Sequence, residues 1–223
     1  LLSKEYLYNN FSEYNLSKSD LESIRTVDNY YDAYSGVHHV YLQQEFNSVR
    51  VEQAYSSFHF DGNGQIMHNN VQFVPDLDSK IIDSDPFDPD RALDYAGAHL
   101  NLTFPDVDPV LGTGNQTGKW IFNTVPVSLE PVTVELVFYP VSDTSVKLAY
   151  STEVYMPDAT AYYDRMVDAV SGEILNERNL VISCNHDLGE AHVGCDHDGY
   201  SHMVEKYNMS PLVTMAANDY NVF

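Results

Sequence analysis

A chain of 223 residues is long enough to bury a real core, as one domain or as two of modest size. Eleven Lys and Arg against 33 Asp and Glu leave a formal net charge of −22, which repels nucleic acid and anionic membranes and argues against both as partners. No apolar run is long enough to span a bilayer, and a hydrophobic content of 43% with 17 tyrosines argues for a globular chain rather than a disordered one.

The chain opens at Leu1, with no initiator Met and no basic, apolar leader, so a leader is expected to have been removed or the chain shortened. Asn10, Asn15, Asn101, Asn115 and Asn208 each head an acceptor sequon for N-glycosylation. Chance yields about one or two in a chain of this size, so they favour a secreted, extracellular glycoprotein.

Leu2, Tyr6, Leu7 and Phe11 recur at helical spacing and predict a short amphipathic helix within residues 1–14. Ser19-Asp20-Leu21-Glu22 predicts a second helical turn with its cap. From Val27 the period falls to two. Val37–Phe46 alternates, Asn47-Ser48 turns, Val49 and Val51 continue, Ala54–Phe60 forms another run, Asp61-Gly62-Asn63-Gly64 turns, and Gln65–Val74 returns. Residues 1–75 thus read as a helical start followed by an antiparallel meander of about four strands. Residues 76–90, acidic and proline-bearing, read as a linker.

Asp88 is the expected cap of a helix with Pro89 in its first turn and Ala92, Leu93, Ala96 and Leu100 on one face. Thr103–Gly118 reads as loop, and Trp120–Phe122 and Val132–Tyr139 read as strands. In the next run Val146, Leu148, Tyr150, Thr152, Val154 and Met156 share a face. Pro157-Asp158-Ala159-Thr160 breaks that run, Ala161–Ala169 alternates again, and Val170-Ser171-Gly172-Glu173 turns into Ile174-Leu175, with Gly172 free to take positive φ. Leu148, Val154 and Val167 are expected to be buried beneath the helix bearing Leu93 and Ala96. Residues 91–182 therefore read as a second module of one helix against about five strands. The fold class is α+β, two modules each with a helix packed on an antiparallel meander, cystatin-like or PepSY-like.

There is no His-Glu-x-x-His, no Gly-x-Ser-x-Gly and no phosphate-cradling glycine loop, and no carboxylate pair stands out in so acidic a chain. Catalysis by this chain is not expected. Residues 183–223 change character: Cys184, His186, His192, Cys195, His197 and His202 fall within nineteen residues. Four readings stay open. In an oxidising compartment Cys184 and Cys195 form a disulfide; Cys184, His192, Cys195 and His197 hold a zinc ion, though at no common finger spacing; Cys195 offers its thiolate to another protein's zinc; or both thiols are free and inert. His38-His39, at a strand start, reads as structural.

Two stretches carry a family likeness. Tyr34-Ser35-Gly36-Val37-His38-His39-Val40-Tyr41-Leu42-Gln43-Gln44, with Phe46-Asn47-Ser48-Val49-Arg50-Val51-Glu52 and the Asp61–Ile66 turn, resembles the fungalysin/thermolysin propeptide motif. Leu148–Leu175, with Asp168-Ala169-Val170-Ser171-Gly172-Glu173-Ile174, is similar to the PepSY-like second half of the same propeptides. Ala217–Phe223 resembles the start of mature fungalysins, which places a junction at Ala216-Ala217. The resemblance implies a non-catalytic propeptide that assists folding of a secreted zinc metallopeptidase and blocks its cleft. It also implies that the partner is the cognate catalytic domain, and that zinc belongs to that domain with no cofactor in this chain. A rival reading is a stand-alone secreted binding module, either a metal scavenger through the Cys/His segment or a cystatin-like protease inhibitor, although the Gln-x-Val-x-Gly loop of cystatins is missing.

Overall fold

The computed structural model describes residues 2–82, 84–111 and 118–181. The chain opens with α1 (Leu2–Asn10), a 3-10 turn (Phe11–Tyr14) and α2 (Lys18–Glu22), then runs through β1 (Ile24–Asp32), β2 (Val37–Phe46), β3 (Val49–Phe60) and β4 (Ile66–Asn70). The cap of α2 is Ser17, two residues earlier than expected: its hydroxyl accepts from the Asp20 N–H, and the Asp20 carboxylate accepts from the Ser17 N–H. Asn47 and Ser48 both lie at positive φ, as a two-residue hairpin turn requires. Leu42, Phe58 and Phe60 point inward from this meander and pack beneath Leu7, Leu16 and Ile24, so the helical start covers one face of the sheet.

Residues 76–90, expected as a linker, contribute to the core. α3 (Leu77–Lys80) buries Leu77 to 2% exposure, and Ile81 bridges to Val146. Leu77 joins Val51, Ala54, Phe138 and Val146 in one apolar cluster. Asp20 fastens the segment from the other side, accepting hydrogen bonds from the Asp76 and Leu77 N–H groups at 3.0 and 3.2 Å. Sequence composition registers the charge and the proline here, but not these two anchors.

α4 (Pro89–His99) follows, with Asp88 at its N-cap position making no side-chain capping bond, contrary to expectation; Pro89 supplies the start by having no N–H to satisfy. Then come β5 (Val110–Leu111), β6 (Lys119–Phe122), β7 (Val132–Ser142), β8 (Ser145–Tyr155), β9 (Tyr162–Asp168) and β10 (Ile174–Asn179). β5 lies where a loop was expected and pairs antiparallel with Trp120 and Ile121. Ala92, Leu93 and Ala96 of α4 pack on Val134, Tyr150, Val154 and Val167. Val154 and Val167 are fully buried as expected, whereas Leu148 is half-buried between this cluster and the one around Leu77. Gly172 takes φ +77°, and a Cβ there would lie 2.4 Å from the Tyr95 ring, so both the turn and the helix approach demand glycine.

The main strand order is β1-β2-β3-β7-β8-β9-β10, with β4 on β3, β6 on β7 and β5 on β6. Among the described strands all pairings are antiparallel except β3 with β7, which meet in parallel at Val51 and Phe138; the isolated Ile81–Val146 bridge is also parallel. The architecture is mixed α and β, few helices against a large, mainly antiparallel sheet.

Candidate interaction surface

On the second half of the sheet, the face away from α4 is closed by charge pairing. Arg50 binds Glu135 at 2.7 Å and also Glu52, Arg178 pairs with Asp164, and Lys147 meets Asp168 at 2.7 Å. Asp168 is 4% exposed; against the cost of burial, the Lys147 ammonium and the N–H groups of Ser171 and Val170 hold its pKa down to about 2. Beneath this face Val137, Ala149 and Met166 form a small apolar cluster of their own. Arg165, on the α4 side, is 2% exposed and donates to the Ala96 carbonyl at 2.7 Å. Each of these charges has an ion-pair partner within the chain, although Asp164 Oδ1 and Arg165 Nε are buried without a hydrogen-bond partner.

The corresponding face of β1–β4 is built differently. Residues directly opposite one another across the four strands form a row, Tyr30 to His39, His39 to His59 and His59 to His68. The Tyr30 ring stacks on His39 at 4.8 Å, His39 meets His59 edge-on at 4.8 Å, and His59 stacks on His68 at 5.9 Å. A neighbouring tyrosine line joins Tyr30 to Tyr41 and Tyr41 to Tyr55, at 6.2 and 5.8 Å. Strands and turns from Thr26 to Ser79 carry one basic side chain, Arg50, at the far end of the sheet and already paired. Arg25, at the start of β1, is likewise paired, with Glu45, so any further positive charge on this face must come from a proton on histidine.

His39 Nδ1 and His59 Nδ1 lie 2.8 Å apart, so one ring donates and the other accepts. Both rings cannot carry a second proton while that bond stands. Burial, with His39 and His68 beside it, lowers the pKa of His59 below its usual 6.5. Among the described residues no group of three or more His, Cys, Asp or Glu side chains is disposed to hold a metal ion.

Sequence reasoning took His38-His39 as structural and missed the row. The available signal was the strand period: beside inward Val40, Leu42, Phe58 and Phe60, the alternate positions 39, 41, 55 and 59 are imidazole or phenol, with Gln43 and Ser57 among them. Of the expected glycosylation sites, Asn15 and Asn101 are exposed, both at φ 56°, while Asn10 is half-buried and donates to the Tyr6 carbonyl at 2.7 Å. Asn115, Asn208, Cys184, Cys195, Ala216 and Ala217 lie outside the described residues, as does the whole Cys/His segment.

Residues 22–72 match the Fungalysin/Thermolysin Propeptide Motif, a span that runs from the end of α2 through all of β1–β4. The chain is 28% identical over 141 residues to the extracellular metalloproteinase mep of Aspergillus terreus, covering 60% of this chain and 22% of that protein. It is 26% identical over 137 residues to extracellular metalloproteinase 10 of Coccidioides posadasii, covering 61% and 22%. The chain thus spans about a fifth of the length of the curated relatives it matches. Among solved structures, the Bacillus megaterium YpeB C-terminal domain aligns with 80% of this chain and 66% of its own, at 11% identity and a TM-score of 0.36. Residues 22–72 thus carry a propeptide motif, and about 60% of the chain is similar to part of two extracellular metalloproteinases.

Proposed function

We propose that this chain is the propeptide of a secreted fungalysin-type zinc metallopeptidase, which it inhibits by covering the cleft and assists in folding. The observation that carries the reading is the coincidence of the matched motif with a complete structural unit: residues 22–72 contain every strand of the first meander. The partner is the cognate catalytic domain, which supplies the zinc. Two helix-on-meander modules, 1–75 and 91–182, with PepSY-like character in the second, fit the separate apolar clusters under α1 and under α4. N-glycans on exposed Asn15 and Asn101, and a Cys184–Cys195 disulfide, fit an extracellular route. Mass spectrometry without reductant tests the disulfide: the oxidised pair is two hydrogens lighter, and two alkylatable thiols would exclude it.

The decisive test is inhibition in trans. The purified chain should slow peptide cleavage by the catalytic domain of its own gene, and refolding of that domain from denaturant should give more activity with the chain present. A domain shown to be active that ignores the chain in both assays would end this reading.

A further inference from the structure

The described molecule leaves two broad outer faces of sheet, and only one lacks an internal partner. On the second half the outward charges are neutralised by Arg50, Lys147 and Arg178. On the first half Tyr30 and Tyr55 are 46% and 45% exposed, and His68 is exposed on the outer strand. Contiguous aromatic surface of this kind marks a binding site more often than a solvated face. Tyrosine and histidine rings present large apolar area with few rotatable bonds, which suits the centre of an interface, and Asp28 and Asp32 at the β1 edge supply a polar rim.

We propose that this uncovered histidine–tyrosine face of β1–β4 is where the metallopeptidase catalytic domain docks, and that acid releases it by charging the histidine row. The inference rests on the propeptide reading and names its contact surface and its regulation. The occupant follows from chain length and charge. In both metalloproteinase relatives the matched segment is 22% of the protein, so the rest of that polypeptide is the neighbour held at highest effective concentration. In a chain of net charge −22, this face meets a partner with almost no fixed charge at its centre and with the Asp28 and Asp32 carboxylates, which accept hydrogen bonds from their own neighbours in the chain, as an acidic rim.

Acid acts through geometry. A second proton on the His39–His59 pair breaks the 2.8 Å bond and sets two cations side by side, with His68 next in the row. The other groups facing the row are the Tyr30, Tyr41 and Tyr55 phenols and the Asp28 and Asp32 carboxylates of β1; His38 is engaged with Asn29. The two carboxylates lie at the β1 edge, two strands from His59, and do not neutralise a cation at that end of the row. A charged row cannot be desolvated against an apolar partner without a large cost.

The test is inhibition of the catalytic domain of the same gene by the full chain, at pH 7.5 and at pH 5.5. Tyr55→Ser with His68→Ala should weaken inhibition about tenfold or more at pH 7.5 while the melting temperature stays near that of the unsubstituted chain. Val170→Ser, an exposed apolar residue on the other half, should change nothing. The unsubstituted chain should lose about tenfold or more of its potency at pH 5.5, and His39→Gln with His59→Gln should retain most of it. Full potency in the Tyr55/His68 variant, or a face occupied by a second copy in light scattering, would overturn the surface while leaving the propeptide reading intact. An unsubstituted chain that does not inhibit would remove the reading on which it rests.

Discussion

The two halves of the sheet are built from the same parts, a helical cover over antiparallel strands, and differ on the side the helices leave bare. Around β7–β10 the bare side is crossed by Lys147–Asp168, Arg50–Glu135 and Arg178–Asp164, so each half-buried charge has its partner inside the chain. Around β1–β4 the same positions hold imidazoles and phenols whose bonding capacity is only partly used. A face that satisfies itself contributes to stability; a face that does not is available to a partner. The motif match falls on the second kind, residues 22–72, and the ion-paired face lies mostly outside it.

The comparison breaks first in the core. Phe58→Ala under α1 and Tyr150→Ala under α4 should each cost about 3–5 kcal/mol in chemical denaturation, as expected for large buried rings. Phe58 is fully buried, and Tyr150 is 2% exposed with its hydroxyl donating to the Phe87 carbonyl at 2.5 Å. Because Val51, Leu77, Phe138 and Val146 bridge the halves, both variants should unfold in one transition; two separate transitions would show that the bridging cluster is weak. Next in size, Asp168→Asn should cost on the order of 1–3 kcal/mol at neutral pH, since it removes a buried acceptor of charge-assisted bonds.

Acid should then separate the halves. His59 prefers to be neutral when folded, so the unfolded chain takes its proton first, and this residue's contribution is lost as pH falls below 6.5. Asp168, held at about 2, keeps its contribution until pH falls below 3.8. Hydrogen exchange between pH 7 and pH 5, corrected for intrinsic rates, should therefore speed up in β1–β4 before β7–β9. Equal change in both would remove the distinction. The smallest effect is expected at Arg25→Gln, which breaks the pair with Glu45 at 2.5 Å: with the arginine side chain 56% exposed, the cost should stay within about 1 kcal/mol by thermal melting.

Strand period and turn chemistry were enough to place most elements from the chain alone. The alternation of Val40 and Leu42, the Asn47-Ser48 turn, the helix after Pro89 and the Gly172 turn are local, each fixed by residues within a few positions of one another. The motif residues also carried the likeness to the propeptide motif that residues 22–72 match. Tertiary structure decided what depends on distant partners. Leu77 sits in an acidic, proline-bearing stretch and is nevertheless core, because Asp20 and Val146 reach it from 57 and 69 positions away. Likewise, His39, His59 and His68 are isolated polar residues in sequence. Only the register of three strands sets them opposite one another, and among the described residues no helix covers that side.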